Sequence, residues 1–125
     1  MVATEQLPSP LLNARRFGAR CLPVLTDDRL YESIGVRVAF TGREGGVSKG
    51  PYESLNLGSH VEDDLSSVQE NRGILLESLD ASNVRLVMAN QVHGDTLVCI
   101  EGASASLVDE ACEQARKGAD ALVVG

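Results

Sequence analysis

Between Gly42 and Pro51 the chain places four glycines and a proline in ten residues. Glycine gives up the most backbone freedom on ordering, and proline lacks an amide donor, so neither a helix nor a strand runs through such a stretch. The segment is predicted to be a long loop. Just before it, Val36, Val38 and Phe40 alternate with Arg37, Ala39 and Thr41. That period of two predicts a strand with three apolar side chains on one sheet face. A plain connection is the simpler reading, but long loops without structure of their own are uncommon in compact domains, which shifts the balance towards a functional loop. Its glycine amides suit an anion, and Arg43 offers the planar fork that fits phosphate or carboxylate. Neither the G-x-x-x-x-G-K-[ST] nor the G-x-G-x-x-G spacing occurs, so no nucleotide-binding fingerprint supports the loop.

Other elements follow from periodicity and caps. Leu65, Val68, Leu75, Leu76 and Leu79 recur at helical spacing behind Asp63 and Asp64, and predict a helix over 65–79 capped by the acidic pair, with Ser66 and Gln69 as a second capping arrangement. Residues 84–89 and 96–101 read as strands around a turn at 90–95. Residues 107–117 read as a short acidic helix that ends at Gly118 with Arg116 and Lys117 in its last turn. Ala121-Leu122-Val123-Val124 reads as a buried strand. Residues 1–35, with Pro8, Pro10 and Pro23, read as a loosely organised arm with one strand near 20–25.

The core must be aliphatic, because 43% of the 125 residues are hydrophobic while the chain has no Trp, two Tyr and two Phe. The net charge of −7 is split into +2 over residues 1–50 and −9 over residues 51–125. An acidic surface repels phosphate backbones and anionic lipid, which speaks against nucleic-acid or membrane partners, and an anion site would draw its cations from the first half. Cys21, Cys99 and Cys112 are too few and of the wrong parity for a disulfide framework, which fits a reducing cytoplasm. There is no signal-peptide pattern and no membrane-spanning apolar run.

Three more side chains stand out. Asn56, in the alternating stretch 54–60, donates and accepts at once, which suits a sugar hydroxyl or base edge as well as a backbone turn. His93, in the turn Gln91-Val92-His93-Gly94-Asp95, is a general base or metal ligand by type. A single His is not a catalytic zinc site, which takes three protein ligands, and the thiols show no ligand spacing. His60 stands far from His93 in sequence.

Taken together, the segments 40–48 (Phe-Thr-Gly-Arg-Glu-Gly-Gly-Val-Ser), 51–58 (Pro-Tyr-Glu-Ser-Leu-Asn-Leu-Gly), 60–64 (His-Val-Glu-Asp-Asp), 70–72 (Glu-Asn-Arg), 91–94 (Gln-Val-His-Gly) and 119–123 (Ala-Asp-Ala-Leu-Val) resemble the YfiH-like family, also called the laccase-domain or multicopper polyphenol oxidase family. The resemblance covers residues 36–125. It implies an α+β architecture, a mixed layered α/β fold of the YfiH and cytotoxic necrotizing factor type. It also implies a cleft in which a metal, usually zinc and in older assignments copper, is held by one His of Gln-Val-His-Gly, a Cys of Ala-Asp-Cys-x-Pro and a His of His-Ala-Gly-Trp. Members are described as purine nucleoside phosphorylases with further activity on adenosine and methylthioadenosine. Laccase-type oxidation and editing of a peptidoglycan precursor are other roles given to the family.

Carried onto this chain, His93 matches the first metal ligand and catalytic position, and Arg43 and Asn56 match loop positions lining the cleft. Phosphate falls by its chemistry to Arg43 and a nucleoside hydroxyl to Asn56. Asp120 matches an acidic residue whose expected duty is to orient its neighbours. Gly42 and Glu62 depart from the usual Thr and Gly. No Cys follows Cys112 and no Trp is present, so the second and third ligands are not among these 125 residues. The resulting expectation is a truncated, N-terminal part of such a domain over 36–125, preceded by an arm over 1–35. By itself this part would hold zinc weakly and not turn over nucleoside, with an oligomer or the missing half as partner. A non-catalytic binding or assembly module is the competing class. Copper oxidation is disfavoured because several coppers need many histidines and the chain has two.

Overall fold

The computed structural model describes residues 9–125, which divide into two compact units, the first ending at Asn83 and the second Val84–Gly125. In the first unit, β1 (Asn13–Phe17), β2 (Leu22–Thr26) and β3 (Ala39–Thr41) form an antiparallel sheet in that order. Asn13 lies opposite Thr26, Phe17 opposite Leu22, and Val24 opposite Thr41. Asn13–Phe17 and Leu22–Thr26 are thus paired strands and Asp28–Ile34 is a helix, where a loosely organised stretch with one strand was expected. Pro23 is tolerated within β2 because pairing with β3 starts only at Val24, so the missing amide leaves no ladder bond unmade on that side.

Helix α1 (Asp28–Ile34) follows β2. The Asp27 side chain accepts from the Leu30 amide at 3.1 Å and the Leu11 amide at 2.8 Å, and Gly35 closes the helix at φ 72°. Arg37 ties this helix to the sheet. Its guanidinium lies 3.9 Å from the Tyr31 ring centre and 5.2 Å from that of Phe17, and pairs with Asp28 at 3.0 Å.

The strand expected from Val36, Val38 and Phe40 is shorter and faces the other way. Ala39 packs on the core of Leu22, Val24 and Leu55, whereas Phe40 is 57% exposed and Val36 lies outside the strand. Pairing with β2 decides this, because Leu25, on the outer face of β2, is the partner of Phe40. Helix α2 (Leu65–Ser78) falls where periodicity puts it and is capped by Asp64, which accepts from the Ser67 amide. Ser66 donates its hydroxyl to Asp64 and does not form the second cap expected. The buried face is Val68, Asn71, Ile74 and Ser78, rotated from the leucine stripe, and Leu65 is exposed.

The second unit is a β–α–β arrangement in which β4 (Leu97–Ile100) and β5 (Ala121–Val124) pair in parallel through α3 (Ala105–Lys117). Ser104 caps α3, and Arg116 and Lys117 sit in its last turn as expected from the dipole. Its core joins Val98 and Ile100 to Ala111, Ala115 and Ala119, with Val87, Val108 and Leu122 packed around them. The small alanines let helix and strands approach closely. Two expectations fail. Residues 84–89 form no ladder among the described residues, and β5 is not buried, because a two-stranded sheet gives it one neighbour and leaves Val123 and Val124 open. The chain is thus a mixed α/β protein.

Candidate binding loop and histidine turn

The glycine-rich loop is held by specific bonds. The Arg43 carbonyl accepts from the Ser54 and Leu55 amides at 2.8 and 2.9 Å, and the Ser48 amide donates to the Ser54 carbonyl at 2.9 Å. Ser54 Oγ accepts from the Gly46 amide at 3.1 Å. The Val47 amide donates to Oδ1 of Asn71 at 2.8 Å. Residues 50–52 add a single 3-10 turn with Pro51 at its start, which supplies regular structure where only loop was expected.

Arg43 is exposed, its Nε donates to the Glu53 carbonyl at 2.9 Å, and it enters no ion pair among the described residues. It borders an open cavity of about 540 Å³ on the outer sheet face, lined also by Arg16, Leu25, Phe40 and Glu44. Asn56 is more committed. Its Nδ2 donates to the Gly58 carbonyl and to Asp63 Oδ2, and its Oδ1 accepts from the Gly58 amide. Both amide hydrogens are used within the loop, and one lone pair of Oδ1 remains. Asp63 also accepts from the Ser48 hydroxyl at 2.6 Å. The Ser48 and Asn56 hydrogen bonds hold its carboxyl below the usual aspartate range.

Sequence reading missed the centre of this arrangement. Asn71 is fully buried, its Nδ2 donates to Ser48 Oγ at 2.8 Å and to the Asn56 carbonyl at 2.9 Å, and its Oδ1 takes the Val47 amide. The available signal was a carboxamide three residues after Val68, on the inward face of a helix, where an apolar residue is the default. Arg72, one residue on, donates from Nε to the Leu57 carbonyl at 2.9 Å.

In the second unit His93 sits in a turn at φ 57°, an unusual backbone for a non-glycine residue. Asp120 braces that turn from the start of β5. Its carboxylate accepts from the Val92 amide at 3.1 Å and the Thr96 amide at 3.2 Å, while its own amide donates to the Thr96 carbonyl at 2.8 Å. Burial pushes the Asp120 carboxyl upward, but hydrogen bonds from the amides of Gly94, Thr96, Val92 and His93 outweigh it and leave the group below its ordinary value. The site residues therefore fall into two pairs, Arg43 with Asn56 in one unit and His93 with Asp120 in the other.

The family resemblance implies a metal. Among the described residues no three His, Cys, Asp or Glu side chains come together to hold an ion. His93 is one imidazole where zinc takes three protein ligands, so these residues do not fit a zinc centre by themselves. The cysteines are free thiols, and among the described residues no helix is long and apolar enough to cross a membrane.

Comparison with known proteins places this geometry in a family. Residues 37–125 match the family model described as multi-copper polyphenol oxidoreductase laccase. A purine nucleoside phosphorylase of Corynebacterium glutamicum is 42% identical over 88 residues, 70% of this chain and 33% of that protein. One of Pseudomonas aeruginosa is 51% identical over 63 residues, 50% of this chain and 25% of that protein. The crystal structure of YlmD from Geobacillus stearothermophilus superposes with a TM-score of 0.59 and 31% identity over 89% of this chain and 38% of that one. The chain spans a quarter to a third of the length of these two curated relatives. With its model matched from residue 37 to residue 125, the chain belongs to the multi-copper polyphenol oxidoreductase laccase family, the YfiH-like family to which its motifs point.

Proposed function

We propose that this chain carries the phosphate- and nucleoside-binding part of a purine nucleoside phosphorylase. The observation that carries the reading is the pre-formed glycine-rich loop with its exposed Arg43, which enters no ion pair among the described residues, in a family whose curated relatives bear that name. Phosphorolysis needs a phosphate oxygen to attack the anomeric carbon while the carbon–nitrogen bond breaks and its electron pair leaves with the purine. Arg43 holds the phosphate through its guanidinium fork. Asn56 accepts a sugar hydroxyl on the lone pair of Oδ1 that the loop does not use. In the second unit His93 matches the metal-binding and catalytic position of the family. Asp120 orients it by fixing the turn on either side.

The reaction takes inosine, adenosine or methylthioadenosine as nucleoside, in a cytoplasmic setting that suits the free thiols. Zinc belongs to the complete donor set of the family, of which His93 matches one member, and the Cys and His motifs of the family supply the others. The test is zinc stoichiometry by equilibrium dialysis together with purine release from inosine and phosphate. The 125 residues alone should hold well under one zinc per chain and release no purine, yet bind phosphate in an Arg43-dependent way. One zinc per monomer with turnover contradicts the partial-site reading, and loss of no phosphate affinity in Arg43→Gln contradicts the assignment of Arg43.

A further inference from the structure

The buried polar centre of the first unit is unused by these assignments, and its bonds all run to the loop that carries Arg43. Asn71 is fully buried on α2, where Val68 and Ile74 share its face. A carboxamide there is costly unless every bond is made, and this one reaches Val47, Ser48 and Asn56 at 2.8, 2.8 and 2.9 Å. Ser48, itself 3% exposed, passes the link to Asp63 at 2.6 Å, and Asp63 returns it to Asn56 at 3.0 Å. The link also runs towards Arg43. Residues 46 and 48 bond to Ser54, Ser54 and Leu55 bond to the Arg43 carbonyl, and Glu53 takes the Arg43 Nε. Gly46 completes the seat, since a Cβ there would stand 2.5 Å from Asn71 Oδ1 and 2.6 Å from Leu55 Cα.

We propose that Asn71 is a positioning residue that latches the 43–48 loop into its anion-receiving shape before any ligand arrives. The proposal rests on the phosphate reading of Arg43. An interior amide whose partners are all loop groups specifies the conformation of a surface segment, and a loop ordered in advance loses less entropy on binding.

The test uses sulfate as the probe, because its charge is constant over the working pH range, with amide exchange at Val47 as the report on the latch. Asn71→Ala removes both bonding ends, and should expose the Val47 amide to exchange and weaken sulfate about tenfold or more. Asn71→Asp keeps an acceptor for Val47 but, when ionised, sets a charge against the Asn56 carbonyl and near Asp63, which raises its pKa. Its sulfate affinity should therefore be poor at about pH 7 and recover towards wild type near about pH 5, where the protonated acid again donates. Asn71→Ala should show no such recovery. Arg43→Gln should lose sulfate yet keep Val47 protected.

Sulfate affinity and Val47 exchange within about twofold of wild type in Asn71→Ala overturn the positioning role while leaving the phosphate reading intact. So does a pH-independent Asn71→Asp, which also serves where the alanine variant does not fold. A wild-type chain that binds neither sulfate nor phosphate overturns the phosphate reading and this proposal with it.

Discussion

Replacing Gly46 with alanine is the sharpest steric test of the loop. The glycine needs no left-handed backbone, so the whole penalty is one of space. A Cβ would lie 2.6 Å from Leu55 Cα and 2.5 Å from Asn71 Oδ1, and closer still to the Ser54 carbonyl oxygen. Two of these obstructions are backbone, and the third is a buried carboxamide held by three hydrogen bonds, so none swings aside. Overpacking of this kind costs roughly 1–3 kcal/mol, and rigid neighbours put Gly46→Ala near ~3 kcal/mol. For a unit of this size each kcal/mol moves Tm by about 4–8 °C, which predicts a fall of roughly 12–24 °C. Gly73→Ala is the matched control. Nothing lies within 4 Å of its added Cβ, it is exposed inside α2, and the gain in helix propensity of about 1 kcal/mol should raise Tm by about 4–8 °C. Urea and thermal unfolding followed by circular dichroism read both. A Gly46→Ala protein as stable as wild type would refute the description of the loop as packed hard against Asn71 and Ser54.

Further consequences concern the carboxylates and the arginine clasp. Asp120→Ala should speed exchange at the Val92 and Thr96 amides and broaden the His93 resonances, and unchanged exchange at both would remove Asp120 as the brace of that turn. Asp27, Asp63, Asp64 and Asp120 are all held below the ordinary aspartate value of 3.8. Their contribution to stability is therefore full above that value and is lost as pH falls through the lower folded values, so Tm should be flat above about pH 5 and drop below about pH 4. Asp63→Asn should make the drop shallower, and an equal slope would contradict the Ser48–Asp63–Asn56 linkage. Arg37→Lys keeps the charge but loses the planar stack on Tyr31 and Phe17, and should cost about 1 kcal/mol in urea unfolding.

What could be read from the chain was the local and the periodic. The helix expected over 65–79 behind the acidic pair, the helix over 107–117 closed by Gly118, and the strands at 96–101 and 121–124 all rest on caps or apolar runs contained in a few residues, and they stand as Leu65–Ser78, Ala105–Lys117, Leu97–Ile100 and Ala121–Val124. Helix α1 also has local signals, Asp27 before it and Gly35 after it, set among prolines that read as irregular chain. What escaped was set by partners far along the chain. Phe40 turns outward because Leu25 pairs with it, and the leucine stripe of α2 yields to Asn71 because Val47, Ser48 and Asn56 need that carboxamide. Val84, Leu86 and Met88 alternate with no ladder to join among the described residues, since periodicity states a preference and not a partner. Among the site residues, Arg43 and His93 announce themselves by type. The duty of Asn71 appears only once Val47, 24 positions away, donates to it.

The proposed function requires that the 43–48 loop receive phosphate through Arg43. Titrating inorganic phosphate into the 15N-labelled chain while following its amide resonances tests it most directly. Saturable shifts should concentrate at residues 43–48 and disappear in Arg43→Gln, with no matching effect of chloride at equal ionic strength. Shifts that fall outside the loop, or that persist in Arg43→Gln, would contradict it.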